Sequence, residues 1–282
     1  MMKVTTLIEN NKALGMGKLV AEHGLSMHIE HAGKKILFDT GESGAFADNA
    51  AQLGIAIDQV NMAVISHHHY DHAGGLRRFL ELNKTAMIYL FNRPNGEPYG
   101  KFLWMKKYIG LDEKLIAENS ERFVFLGEDQ EISPDVFILT HIGRDFPIPK
   151  GNRSILIKSE EGLEPDKFTH ELVMVLKETD GLVVFTGCGH QGILNMITSV
   201  EKSFPDTLIK AVFGGFHLMA LPPFNFMSGT KADVQDLGQK ILQRVPGHIF
   251  TGHCTGSHAF PILKQVMGDR LDSISTGHTV AV

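Results

Sequence analysis

The 282-residue sequence predicts an α/β fold in which helices cover sheets, on three observations. Short apolar strands alternate with helical segments through the first third of the chain. The same alternation returns after Leu172. The composition, 43% hydrophobic and 21% charged, suits a globular chain with a sizeable core. A length of 282 residues allows two ordinary domains, but layered α/β proteins use this much sequence for one, and 1–282 reads as a single domain.

In chain order, the strands are expected at Val4 to Glu9, Ser26 to Glu30, Lys35 to Asp39 and Met62 to Ser66, each short and apolar or alternating. Helical spacing runs from Phe46 to Leu53 and from Gly75 to Leu82. Further on come strands Leu172 to Lys177 and Leu182 to Thr186, helix Gly192 to Phe204, strand Leu208 to Phe213, helix Ala232 to Val245 and strand His248 to Thr251. Between about 91 and 164 the pattern weakens, with Pro94, Pro98, Pro134, Pro147, Pro149 and Pro165 breaking it. That stretch reads as an elaborated, irregular middle section, either a binding loop or a structural excursion.

Composition also narrows function. No stretch approaches eighteen uninterrupted apolar residues, so no membrane span is expected. Met1 to Glu9 lacks the apolar core of a secretion signal, which makes the cytoplasm the expected compartment. A net charge of −5 with mixed signs leaves no footprint for nucleic acid. Two cysteines, Cys188 and Cys254, are too few for a disulfide scaffold, and each stands near a histidine. The 15 histidines are the feature to explain, because imidazole is the commonest neutral metal ligand.

Their densest cluster, His67-His68-His69-Tyr70-Asp71-His72, follows the apolar strand directly. In extended backbone alternate side chains share a face, so His67 and His69 can converge on one metal while His68 and Tyr70 turn away. Asp71 and His72 lie where the chain bends, suited to a second ion. Gly74 and Gly75 would ease the turn that follows. With His and Asp each at about five per cent, His-x-His-x-Asp-His arises by chance in roughly two sequences per thousand of this length.

That motif, preceded by Phe38-Asp39-Thr40-Gly41, resembles the metallo-β-lactamase superfamily. The resemblance implies a four-layer αββα sandwich, with His67 and His69 on a first metal, Asp71 and His72 on a second, and Asp39 supporting the site. Downstream, Phe185-Thr186-Gly187-Cys188-Gly189-His190 resembles the strand that ends in the family's bridging aspartate. Here Cys188 stands in its place, and Cys188 and His190 are candidates to complete the metal shell. His253 matches the last ligand. His170 is the rival third histidine, and otherwise a surface residue. Cys254 and His258 read as structural.

Glu22-His23-Gly24-Leu25-Ser26, Gly187 to His190, Gly214-Gly215-Phe216-His217-Leu218 and His253-Cys254-Thr255-Gly256 together resemble one branch of the superfamily. It is the group named for 7,8-dihydropterin-6-methyl-4-(β-D-ribofuranosyl)aminobenzene 5'-phosphate synthase. Glu22 and His23 read as turn residues beside Gly24, and His217 as a group touching the substrate or leaving group.

The resemblance implies a metal-dependent hydrolase of a phosphoester, pyrophosphate or related ester, working through a metal-bound hydroxide that Asp71 orients while His217 meets an oxygen. The alternative is a metal-dependent transferase that joins a dihydropterin pyrophosphate to a ribofuranosylaminobenzene phosphate. A second alternative is a non-catalytic metal-containing sensor. One or two zinc ions suit the donors best, with manganese and iron open. The expected partner is a small phosphorylated molecule, which Lys101, Lys106, Lys107, Arg144, Lys150 and Arg153 could meet, and a homo-oligomer is compatible with the sequence.

Overall fold

The computed structural model describes residues 1–102, 104–220 and 225–282. The chain forms two compact units, one of Met1–Arg93, Ile109–Gly127 and Ile274–Val282, the other of Pro94–Tyr108 and Glu128–Ser273. No helix among the described residues is long and apolar enough to cross a membrane.

The first unit is built on a seven-stranded sheet in the order Thr279–Ala281, Lys3–Ile8, Ser26–His31, Lys34–Phe38, Met62–Ile65, Met87–Phe91, Phe123–Leu126. The first three junctions are antiparallel and the last three parallel. Met62–Ile65 is buried at every position, as a central parallel strand covered on both faces requires. Helices Ala45–Gln52 and Leu76–Leu82 place Phe46, Ala50, Leu76 and Phe79 in one cluster with Leu7, Ala63, Ile65 and Ile88. Phe46 and Phe79 are fully buried, each stabilising the unit by about 2 kcal/mol.

The second unit repeats this division of labour. Its seven-stranded sheet runs Leu271–Ser273, His248–Thr251, Ile209–Gly214, Gly181–Thr186, Val173–Glu178, Val136–Leu139, Gln130–Ser133, and its first three junctions are parallel. Helices Ile193–Ser203, Lys231–Arg244 and Ala259–Met267 supply Ile197, Val234, Ile241 and Leu263 to its core. Thr230 caps Lys231–Arg244: its hydroxyl accepts from the Asp233 amide while Asp233 accepts from the Thr230 amide.

The middle section departs from expectation. It is ordered into short strands, including Glu97–Phe102 paired with both Met105–Tyr108 and Ile155–Ser159 in a four-stranded sheet. Strands of four to six residues that a proline closes or interrupts, such as Pro98 and Pro165, show too few alternations to reveal a period of two.

In both units the candidate ligands follow the C-terminal ends of parallel strands. Asp39 follows Lys34–Phe38 and the histidine cluster follows Met62–Ile65; Cys188, His217 and His253 follow Gly181–Thr186, Ile209–Gly214 and His248–Thr251. In α/β sheets this is where ligands bind.

Candidate metal centre

In the first unit, His67, His69 and His72 are buried together, the His67 ring lying 4.5 Å from that of His69 and 4.2 Å from that of His72 between centroids. His68 turns the other way, its Nε2 2.8 Å from the Phe91 carbonyl oxygen, at a bend past the end of strand Met62–Ile65 where the His69 amide donates to the His67 carbonyl oxygen at 3.0 Å. Behind them, Asp39 organises the site. Its Oδ1 accepts from the Ser66 amide at 2.7 Å, and its Oδ2 accepts from Ser66 Oγ at 2.8 Å and from His72 Nδ1 at 2.6 Å. Ser66 Oγ in turn lies 2.9 Å from His67 Nδ1. Assigned from this network, both rings carry their proton on Nδ1 and present Nε2, the form a metal-ligating imidazole takes when a carboxylate or hydroxyl holds its far side.

Asp71 is buried beside them, its Oδ2 3.3 Å from His23 Nε2 and 3.8 Å from His72 Nε2. Tyr70 turns away from service as an ordinary acid: burial, with the Asp71 and Glu42 charges, pushes its phenol up to about 12. Gly74 and Gly75 matter for a different reason from the one expected. Their φ angles of −63° and −77° are open to any residue. What they provide is space, since a Cβ would stand 2.0 Å from the Glu42 carbonyl oxygen at Gly74 and 2.3 Å from that of Thr40 at Gly75.

In the second unit, Cys188, His190 and His217 are buried and offer ligand atoms within 4.8 Å of one another. His190 is held on three sides. Its Nδ1 lies 2.9 Å from Asn152 Oδ1, while Asn152 Nδ2 donates to the His190 carbonyl oxygen at 2.7 Å. The ring stacks on Phe168 at 4.3 Å and 3°. The Glu171 carboxylate accepts from the His190 and Gln191 amides at 2.9 and 2.8 Å. Glu171 is fully buried, and burial pushes its carboxyl up to about 8 against the pull of those amides. Asn152 and Glu171 escaped sequence reasoning, because no motif marks a residue that holds a candidate ligand from 38 or 19 positions away.

His217 and His253 sit in left-handed backbone, with φ of 46° and 49°, as does Asp39 at 59°. Strained non-glycine backbone persists where its surroundings enforce it, and it clusters at functional sites. Here the enforcement is visible: Thr255 Oγ1 accepts from the Phe216 amide at 3.0 Å and lies 2.6 Å from Thr251 Oγ1, tying the two loops together. His217 Nδ1 is buried and meets no hydrogen-bond partner among the described residues. Cys254 Sγ donates to the Cys188 carbonyl oxygen at 3.2 Å. Burial raises its thiol, but Cys188, His217 and His253 outweigh that and hold it well below the usual thiol range.

His170 is no surface residue. It is fully buried with Nε2 3.0 Å from Asp166 Oδ2, on a turn where Asp166 also accepts from the Phe168 amide at 2.6 Å. Among the basic residues of the middle section, Lys150 is committed to Asp233 at 2.8 Å and Arg144 donates to the Lys167 carbonyl oxygen at 2.6 Å. Glu22 reaches beyond its own turn, accepting from the Ser43 amide and hydroxyl at 2.9 and 2.6 Å across 21 positions of the chain.

The chemistry of these donors fits a divalent metal: buried imidazoles with their far nitrogens held, a carboxylate and a thiol, in the combination that suits zinc and its neighbours. Residues 20–188 match the family profile of the metallo-beta-lactamase superfamily, and the chain belongs to that superfamily. It is 29% identical over 278 residues to the 7,8-dihydropterin-6-methyl-4-(beta-D-ribofuranosyl)-aminobenzene-5'-phosphate synthase of Methanocaldococcus jannaschii, covering 92% of this chain and 90% of that one. Its structure is similar to that of Tm1679, described as a metal-dependent hydrolase of the beta-lactamase superfamily, with a TM-score of 0.82, 27% identity, and 100% and 99% of the two chains covered. It shares the fold of the metallo-beta-lactamase fold protein YhfI from Bacillus subtilis, at a TM-score of 0.59, 12% identity, and 99% and 98% coverage. The branch resemblance seen in the sequence is thus supported along nearly the whole chain.

Proposed function

We propose that this protein is a metal-dependent transferase that joins a dihydropterin, activated as its pyrophosphate ester, to a phosphorylated ribofuranosylaminobenzene. The observation that carries this reading is the likeness to the methanogen synthase, which runs through 92% of the chain and so spans the donor-bearing loops of both units. In such a reaction the bond from the pterin methylene carbon to the pyrophosphate oxygen breaks, the amine nitrogen of the aminobenzene takes its place, and that nitrogen loses a proton while pyrophosphate leaves.

His67, His69, Asp71 and His72 from the first unit and Cys188, His190 and His253 from the second would be the metal ligands. When bound, such ions supply Lewis acidity for a departing phosphate oxygen or for water. The remaining work falls to the chain itself. Asp39 and Ser66 fix the His72 and His67 rings, and Asn152 fixes His190. Asp71 orients the reacting group, and His217 hydrogen-bonds or protonates a leaving oxygen from its buried imidazole. Zinc suits the mixed imidazole, carboxylate and thiol donors, with manganese or iron as the other candidates.

A second reading, hydrolysis of a phosphoester or pyrophosphate, is favoured by the likeness to Tm1679. The two are separated by pyrophosphate release from the dihydropterin pyrophosphate, followed with and without the aminobenzene partner. The transferase reading expects release to depend strictly on the partner. Equal release without it, with water as acceptor, would replace that reading with the hydrolase.

A further inference from the structure

His23 arrives at Asp71 by construction. Gly24, at a φ of +156°, leaves so little room that a Cβ there would stand 2.5 Å from the Asp71 carbonyl oxygen. The Leu25 amide donates to that same oxygen at 3.2 Å, and the Leu25 carbonyl accepts from the Gly41 amide at 2.9 Å. Asn10 Oδ1 accepts from the Gly24 amide at 3.3 Å. The segment 23–25 is therefore locked onto the backbone of the metal-binding turn, and His23 brings Nε2 to 3.3 Å from Asp71 Oδ2. His72 Nε2 is 3.8 Å from the same oxygen, beyond hydrogen-bond reach.

We propose that His23 is a positioning residue for Asp71. Its Nε2–H donates to Oδ2 and so fixes the direction in which the carboxylate offers itself to the second metal. The neutral Nε2–H ring and the imidazolium both donate at that atom, so the contact does not depend on protonation. Carboxylates that ligate metals are themselves hydrogen-bonded, and loss of such a partner lowers metal affinity 10- to 100-fold. With its side chain 28% exposed, His23 stands at the solvent side of the carboxylate, whereas Asp39 holds His72 from the fully buried side. The inference rests on the reading of Asp71 as a metal ligand.

The test titrates zinc into metal-free protein against a chromophoric chelator, comparing wild type, His23→Ala, His23→Gln and Asp71→Ala, and follows thermal unfolding of each metal-free protein. The expected result for His23→Ala is about a tenfold or larger loss of affinity for the weaker ion, with the tighter ion and the metal-free melting temperature unchanged. His23→Gln, whose amide nitrogen reaches about as far as Nε2, should restore most of that loss. If Asp71→Ala weakens the second ion and His23→Ala does not, or if Gln fails to restore it, the positioning role is overturned. A fall in metal-free melting of His23→Ala that accounts for the lost affinity also overturns it. If Asp71→Ala itself leaves both affinities intact, the ligand role of Asp71 falls, and His23 with it.

Discussion

Changing Asp39 to asparagine should lower metal affinity and activity together, each by about 10- to 100-fold, while the chain still folds. Asparagine is nearly isosteric, and it tolerates the left-handed backbone at this position, where φ is 59°. It cannot reproduce the hydrogen bonds. Asp39 accepts three, from the Ser66 amide, Ser66 Oγ and His72 Nδ1. Since the Ser66 amide can only donate, the carboxamide oxygen must face it, and the carboxamide nitrogen is then directed at His72. That ring responds by accepting at Nδ1 and carrying its proton on Nε2, which removes the lone pair a metal needs. The Ser66 link to His67 is disturbed at the same time. Competition titration with a chelator and circular dichroism of the metal-free protein measure the two halves of this expectation. Intact affinity in the asparagine variant would show that the tautomer of His72 does not matter.

Gly75→Ala is expected to prevent accumulation of folded protein. The added Cβ would lie 2.3 Å from the Thr40 carbonyl oxygen, 2.5 Å from that of Ser43 and 2.8 Å from the Phe46 ring. Two of these are backbone atoms that cannot rotate aside, so the helix Leu76–Leu82 or the segment 40–43 must move, and with it the turn that carries Asp71 and His72. Overpacking of this kind costs about 3 kcal/mol or more, a large part of the stability of an ordinary domain. Gly17→Ala is the control. Nothing lies within 4 Å of its Cβ position, and a change within about 0.5 kcal/mol is expected in urea unfolding.

Much of this was legible in the chain itself. Met62 to Ser66 is an apolar run that leads straight into the histidines, and the strand Met62–Ile65 follows from it; His67 and His69 do come together, at 4.5 Å, but in a bend past the strand end where the His69 amide donates to the His67 carbonyl oxygen, which strand alternation does not foresee. The helices expected at Phe46 to Leu53 and Ala232 to Val245 form at Ala45–Gln52 and Lys231–Arg244, because their apolar spacing matches the helical period. Strand Met87–Phe91 and helix Ala259–Met267 went unread: five residues offer little periodicity, and Pro261 masks a helix that it can open from its first turn. The supporting residues of the site were the hardest. His23, Asn152 and Glu171 meet partners 48, 38 and 19 positions away, and only the folded chain brings them together. Asp39, 33 residues from His72, was visible solely because it belongs to a recurring motif.

Buried imidazoles, a carboxylate and a thiol in this combination should hold metal. Elemental analysis of protein purified without added metal, repeated on a His67→Ala, His69→Ala double variant, tests it most directly. About one to two first-row divalent ions per chain are expected in the wild type and a clear loss in the variant, with the variant still folded. A wild-type protein that is folded, pure and carries well under one ion per chain even after equilibration with zinc, manganese or iron would contradict it.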